Sequence, residues 1–297
     1  MARPLIVAMA FVAAACESTA DTRVTEDTSF LSDIEEVEHI VVTVGDDDYS
    51  VPVYGYRGAM TESEEPDWGG TIIIRILTPQ SYSRARWFSN NRNVEIRYDR
   101  FAASAAELDR NYDRLSLGQS IPIIHLPGPG VFGAGGRYDE FYSNRAAEVL
   151  DGAISLIVSE FEGDHIIVSG ASSAGLIVAG LLSMRDDIRC AVIASAPLDL
   201  TAHAQFNPAH THYYGSTEPF DPIRHVHSVL EDRDRTIFIG YSETDQVVSS
   251  RYQIDYAEAL LELGHSVVLE SAPGIDQYGH SLAPWVWQKT LDCVDRE

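Results

Sequence analysis

The sequence predicts an α/β fold: an eight-stranded, mostly parallel sheet with helices on both faces. Three observations carry that prediction. After two opening strand-like runs, short apolar runs alternate with helix-period stretches to the end of the chain, a pattern that buries a parallel sheet between helical layers. Residues 165–182, HIIVSGASSAGLIVAGLL, read as a buried strand, a turn of small residues and a buried helix, and this unit contains the fifth strand. Finally, 297 residues with 45% hydrophobic and 22% charged content describe a globular chain of a size suited to one α/β domain with a large core.

The elements follow in order. Residues 1–16, MARPLIVAMAFVAAAC, carry one early arginine and an apolar run too short to span a bilayer. Residues 1–15 therefore read as an export signal, outside the fold. The run of Ala13, Ala14 and Ala15 before Cys16 resembles a bacterial lipoprotein signal, although Ala13 stands where leucine is usual. That resemblance implies a lipid on Cys16, membrane contact only through this lipid, and a place in the cell envelope, in the outer membrane or periplasm. The alternative is a secretory signal cut after one of the alanines. Residues 16–35 are polar and acidic and read as a flexible tether, leaving 36–297 as the domain.

HIVVTV (39–44) and YSVPVYGY (49–56) read as a hairpin turning through Gly45 to Asp48, and GGTIIIRILTP (69–79) is the third strand. Phe101, Ala105, Leu108, Tyr112 and Leu115 mark a helix over 100–115. SIPIIHLPGPG (120–130) is the fourth strand, and 137–161 a long amphipathic helix ending at Gly163. RCAVIASAPL (189–198), TIFIGYSETD (236–245) and SVVLESAP (266–273) are the sixth to eighth strands. Between the last two, Tyr252, Tyr256, Leu260 and Leu263 share a helix face that Gly264 caps, and residues 283–294 form the final helix. Residues 199–235 have no single period and carry many histidines. Cys190 reads as a small buried apolar side chain and Cys293 has no assigned role; three cysteines make neither a disulfide framework nor a zinc site of known spacing.

The turn at 170–175 carries the chemistry. A serine at the tip of a strand-to-helix bend needs small neighbours two residues before and two after, because a larger side chain would collide across the bend. Ser172 has Gly170 and Ala174 there; Ser173 has Ala171 and Gly175. Ser172 is preferred because Gly170 ends the strand in the usual register. The competing reading is a Gly/Ala-rich turn where a helix crowds a strand, as in nucleotide-binding units. Serine needs a base to become a nucleophile, and the base needs an acid to orient it. Asp245 ends the seventh strand and His280 lies in a glycine-flanked loop after the eighth, so the chain order is Ser, Asp, His. Glu243 and Asp199 are weaker candidates for the acid, and His265 begins a strand, at the wrong end of the sheet.

With these residues, the chain from about 36 to 295 resembles the α/β-hydrolase superfamily. Its tail, Asp245-x-Val247-Val248, a helix, Gly264-His265-x-Val267-Val268-Leu269 and a loop histidine, is similar to prolyl oligopeptidase-like and dienelactone hydrolase-like members. The resemblance implies a catalytic triad of Ser172, Asp245 and His280, and hydrolysis of carboxylic esters. A serine peptidase or amidase is the alternative within enzymes, and a catalytically silent binding protein the alternative outside them. An oxyanion hole needs two backbone N–H groups. The residue after the nucleophile, Ser173, supplies one. The loop after the third strand, opening Thr78-Pro79-Gln80-Ser81, should supply the other, from Gln80 since proline has no N–H. The family's His-Gly pair is missing there.

The net charge of −24 repels phosphates, which argues against nucleic acid and anionic membrane surfaces as partners; the resemblance implies a small-molecule ester or peptide as the substrate. No cofactor is assigned. His203, His210, His212, His225 and His227 cluster within about 199–235, where the resemblance implies a small cap after the sixth strand, but no acidic or cysteine partner is regularly spaced with the two His-x-His pairs. They are assigned with Phe206, Tyr213 and Tyr214 to a pocket lid, and no metal is assigned.

Overall fold

The structure, a computed structural model, describes residues 38–56, 70–77, 121, 123–131, 134–206 and 219–294. The expectations for residues 1–37, including Cys16, for the helix at 100–115, for Gln80 and for the segment 207–218 lie outside these residues. The strands are β1 (Glu38–Val44), β2 (Asp47–Tyr56), β3 (Thr71–Leu77), β4 (Ile123–Pro127), β5 (His165–Ala171), β6 (Ile188–Ala194), β7 (Thr236–Tyr241) and β8 (Val267–Ser271). They lie in the order β1-β2-β4-β3-β5-β6-β7-β8. From β3 to β8 all pairings are parallel, while β2 runs antiparallel to both β1 and β4. The parallel body is the one that the strand–helix alternation predicts.

Five α-helices cover this sheet among the described residues: α1 (Asn144–Phe161), α2 (Ser173–Leu181), α3 (Leu200–Phe206), α4 (Ser250–Glu262) and α5 (Ala283–Val294). Alternate residues of each central strand enter different cores. Ile72, Ile74, Val168, Ile193 and Ile239 pack with α1, α2 and α4 on one face. Ile73, Ile167, Val192 and Phe238 pack with Val286 of α5 on the other. Strands buried on both faces must be apolar without a two-residue period, which is how these runs read.

Two local expectations change. Residues 137–161 are not one helix, because a 3-10 turn over Tyr138–Tyr142 is separated from α1 by Ser143. Ser143 sits in extended backbone, its hydroxyl donating to the Glu140 carbonyl (2.7 Å) and accepting from the Arg145 N–H (3.2 Å). A serine that satisfies itself this way is a better helix start than a helix interior.

The cysteine reading also needs correction. Cys190 of β6 and Cys293 of α5 form a disulfide, with Cα atoms 5.9 Å apart across 103 residues of sequence. Both belong to the core on the α5 face, so the bond fastens the last helix to the middle of the sheet. The same helix is held by Glu270 of β8, which accepts from the Trp285 indole at 2.9 Å and pairs with Lys289 at 3.0 Å.

Candidate functional site

The turn after β5 is built from residues that have no room to be larger. A Cβ on Gly170 would stand 2.7 Å from the Ala174 carbonyl oxygen, and one on Gly175 would stand 2.5 Å from the Cβ of Ala196. Between them Ser172 takes φ 54° and ψ −130°, and α2 starts at Ser173. Its N–H donates to the Ala194 carbonyl of β6 at 2.8 Å, and its carbonyl accepts from Gly175 at 2.9 Å. A side chain at positive φ costs about 1–3 kcal/mol, and such strain concentrates at functional turns. The two candidate serines thus differ in kind: Ser172 occupies the strained tip, whereas Ser173 is the first residue of the helix, at the positive end of its dipole.

Asp245 and His280, 35 residues apart in sequence, meet in the structure. The Asp245 Oδ2 lies 2.7 Å from the His280 Nδ1, and their side chains are only 2% and 3% exposed. A carboxylate can only accept, so the tautomer of a neutral ring that fits this bond carries its proton on Nδ1 and has its lone pair at Nε2. The other Asp245 oxygen accepts from the N–H groups of Val247 (2.8 Å) and Val248 (3.0 Å), which fixes the carboxylate independently of the histidine. Ser172, Asp245 and His280 all follow C-terminal ends of strands, so they share one edge of the sheet.

The histidine loop leans on the acid loop. A Cβ at Gly279, whose φ is +66°, would come within 2.6 Å of the Thr244 carbonyl oxygen. The Gln246 N–H donates to the Tyr278 carbonyl at 2.9 Å. Asp276, a residue the sequence reading passed over, accepts from the N–H groups of His280 (2.7 Å) and Tyr278 (3.2 Å). Its partial burial raises the carboxyl pKa, but the N–H groups of His280, Ser281 and Tyr278 outweigh that and hold it below the usual carboxylate range. An Asp four residues before a loop histidine, with glycines on both sides, was the available signal.

The weaker candidates stand elsewhere. Glu243 is exposed, and Asp199 is engaged at the start of α3, accepting from the Ala202 N–H at 2.7 Å. His265 precedes β8 at the opposite edge of the sheet, and burial followed by the Arg235 charge lowers its pKa. β3 pairs with both β4 and β5, so its C-terminal end at Leu77 lies beside the Ser172 turn. Of the histidines between β6 and β7, His203 is buried edge-on to Tyr252, and His225 stacks on Phe220 with ring centroids 5.2 Å apart. His210, His212, Tyr213 and Tyr214 lie outside the described residues, and Phe206 is exposed. The sequence offered no sign of Ser195, a second buried serine at positive φ (46°), which follows β6 at the same edge.

No protein-family model matches this sequence, and no curated protein does. Solved structures do. An esterase from Pyrococcus furiosus superposes with a TM-score of 0.58 at 12% identity, over 92% of this chain and 95% of the esterase. A lipase/esterase from Lactobacillus plantarum gives 0.52 at 14% identity, over 86% of this chain and 99% of the other. An acylaminoacyl peptidase gives 0.52 at 13% identity over 87% of this chain, which spans 40% of the peptidase. At such identities the likeness concerns architecture. The chain has the mixed α/β fold of these hydrolases, with its parallel sheet of six strands between helices.

Proposed function

We propose that this chain is an exported serine hydrolase that cleaves carboxylic esters through an acyl-enzyme. The observation that carries the reading is the buried Asp245–His280 hydrogen bond (2.7 Å) on the sheet edge that also holds the strained Ser172 turn. In this mechanism the Ser172 Oγ attacks the ester carbonyl carbon as its proton passes to the His280 Nε2. The carbonyl oxygen becomes an alkoxide, held by the N–H groups of Ser173 and Gln80. His280 then gives its proton to the departing alkoxide oxygen as the C–O bond breaks, leaving the acyl group on Ser172. Water attacks next, its proton moving to His280, and Ser172 leaves with that proton. Asp245 keeps the ring in the tautomer that presents Nε2 and stabilises the imidazolium in between. This chemistry requires no cofactor.

Export is inferred from two independent features. Residues 1–16 read as a signal with Cys16 as a lipid-bearing residue, and the Cys190–Cys293 disulfide belongs to oxidising compartments. We place the protein in the cell envelope on a lipid anchor, with free secretion as the alternative. A peptidase reading draws support from the likeness to the acylaminoacyl peptidase.

The test is labelling by a fluorophosphonate probe together with turnover of short p-nitrophenyl esters and aminoacyl anilides. Labelling and ester turnover should vanish in Ser172→Ala and persist in Ser173→Ala. Label retained in Ser172→Ala would overturn the nucleophile assignment, and faster turnover of anilides than of esters would favour the peptidase.

A further inference from the structure

The loop between β8 and α5 is closed on itself. The Ile275 N–H donates to the Ser281 carbonyl at 2.9 Å, and the Gly279 N–H to the Asp276 carbonyl at 3.0 Å. Within this ring the Asp276 carboxylate collects the N–H groups of Tyr278 (3.2 Å), His280 (2.7 Å) and Ser281. The loop is packed without slack, since a Cβ on Gly274 would lie 2.1 Å from the Gly279 carbonyl carbon. His280 is consequently held from two sides: its backbone N–H by Asp276 and its ring Nδ1 by Asp245, each at 2.7 Å. Asp276 touches neither Asp245 nor the His280 ring through any of these bonds; it acts on the backbone from which the ring hangs.

We propose that Asp276 is a positioning residue for the base: its Oδ1, by accepting the His280 and Tyr278 N–H groups, sets the place of the His280 ring between Asp245 and the nucleophile. The inference rests on the serine hydrolase reading above. Both bonds end on Oδ1, so the placing of His280 depends on an acceptor there, and the carboxylate's attraction for a protonated His280 ring is the smaller contribution. Displacing a catalytic ring by about 1 Å costs on the order of 100-fold in rate.

Ester turnover and melting temperature are measured for the full chain and for Asp276→Asn, Asp276→Glu and Asp276→Ala, with Ser172→Ala in parallel. Asp276→Asn keeps an oxygen in place and should stay within about 3-fold of the unaltered kcat. Asp276→Ala should lose about 10- to 100-fold in kcat with KM within about 2-fold, measured well below its melting temperature. Asp276→Glu keeps the charge but moves the acceptor by one methylene, and should fall clearly below Asp276→Asn. If Asp276→Ala does not fold, the order of the Asn and Glu variants decides. Full kcat in Asp276→Ala, or Asp276→Glu equal to or better than Asp276→Asn, overturns the inference while Ser172→Ala is inactive. Turnover that survives Ser172→Ala overturns the hydrolase reading, and this inference with it.

Discussion

Replacing Ser172 by glycine should make the protein more stable than replacing it by alanine. Ser172 holds φ at 54° and ψ at −130°, where any Cβ is crowded by its own backbone. Alanine keeps the Cβ and hence a strain of about 1–3 kcal/mol; glycine releases it. Against this, glycine's extra freedom in the unfolded chain costs about 0.5–1 kcal/mol. At the midpoints of these ranges the balance favours glycine by about 1.2 kcal/mol. For a domain of this size each kcal/mol moves the melting temperature by about 2–4 °C, so Ser172→Gly should melt about 2–5 °C above Ser172→Ala. Both variants lack the hydroxyl, so whatever the Ser172 Oγ contributes cancels in the comparison, and both should be inactive toward esters. Differential scanning calorimetry, with urea denaturation as a second measure, reads the difference. Equal stabilities, or a less stable glycine variant, would refute the argument that the turn stores backbone strain in order to present its side chain.

Removing the disulfide by Cys190→Ser with Cys293→Ser should cost about 2–5 kcal/mol, because a link across 103 residues restricts the unfolded chain; a urea midpoint unchanged from the parent would contradict this, and ester turnover at low temperature should survive because Cys190 begins β6 whereas the site lies past its far end. His125 supplies a pH prediction. Burial, followed by the Arg75 charge opposite it in the β3–β4 register, lowers its pKa to about 3, whereas the unfolded value is about 6.5. A depressed histidine contributes stability that is complete above the unfolded pKa and lost as pH falls toward the folded one. Between pH 6.5 and 4.5 the protein should therefore lose about 2–3 kcal/mol relative to His125→Gln, whose side chain does not titrate. Parallel unfolding curves at the two pH values test it, and a constant gap between parent and variant would count against a buried neutral histidine.

The order of elements was legible in the chain because the signals for it are local. A run such as Ile166 to Val168 is apolar on both faces whatever its neighbours are, and Gly170 to Gly175 announce a tight bend within six residues. The sequence by itself therefore determined a parallel α/β body, the turn with its two serines, and an acid and a histidine in the following strand-end loops. Tertiary structure decided the rest. It separated Ser172 from Ser173 through a backbone angle and through the contact of Gly175 with Ala196 on a different strand's loop. It placed β3 between β4 and β5, so that the C-terminal end of β3 lies beside the Ser172 turn. It joined Cys190 to Cys293, which no spacing rule connects, because the last helix crosses back over the middle of the sheet. Asp276 became legible only once its carboxylate was seen under the His280 backbone. Each of these depends on a distance between segments far apart in the chain, and such distances exist only after the sheet has set its strand order and register.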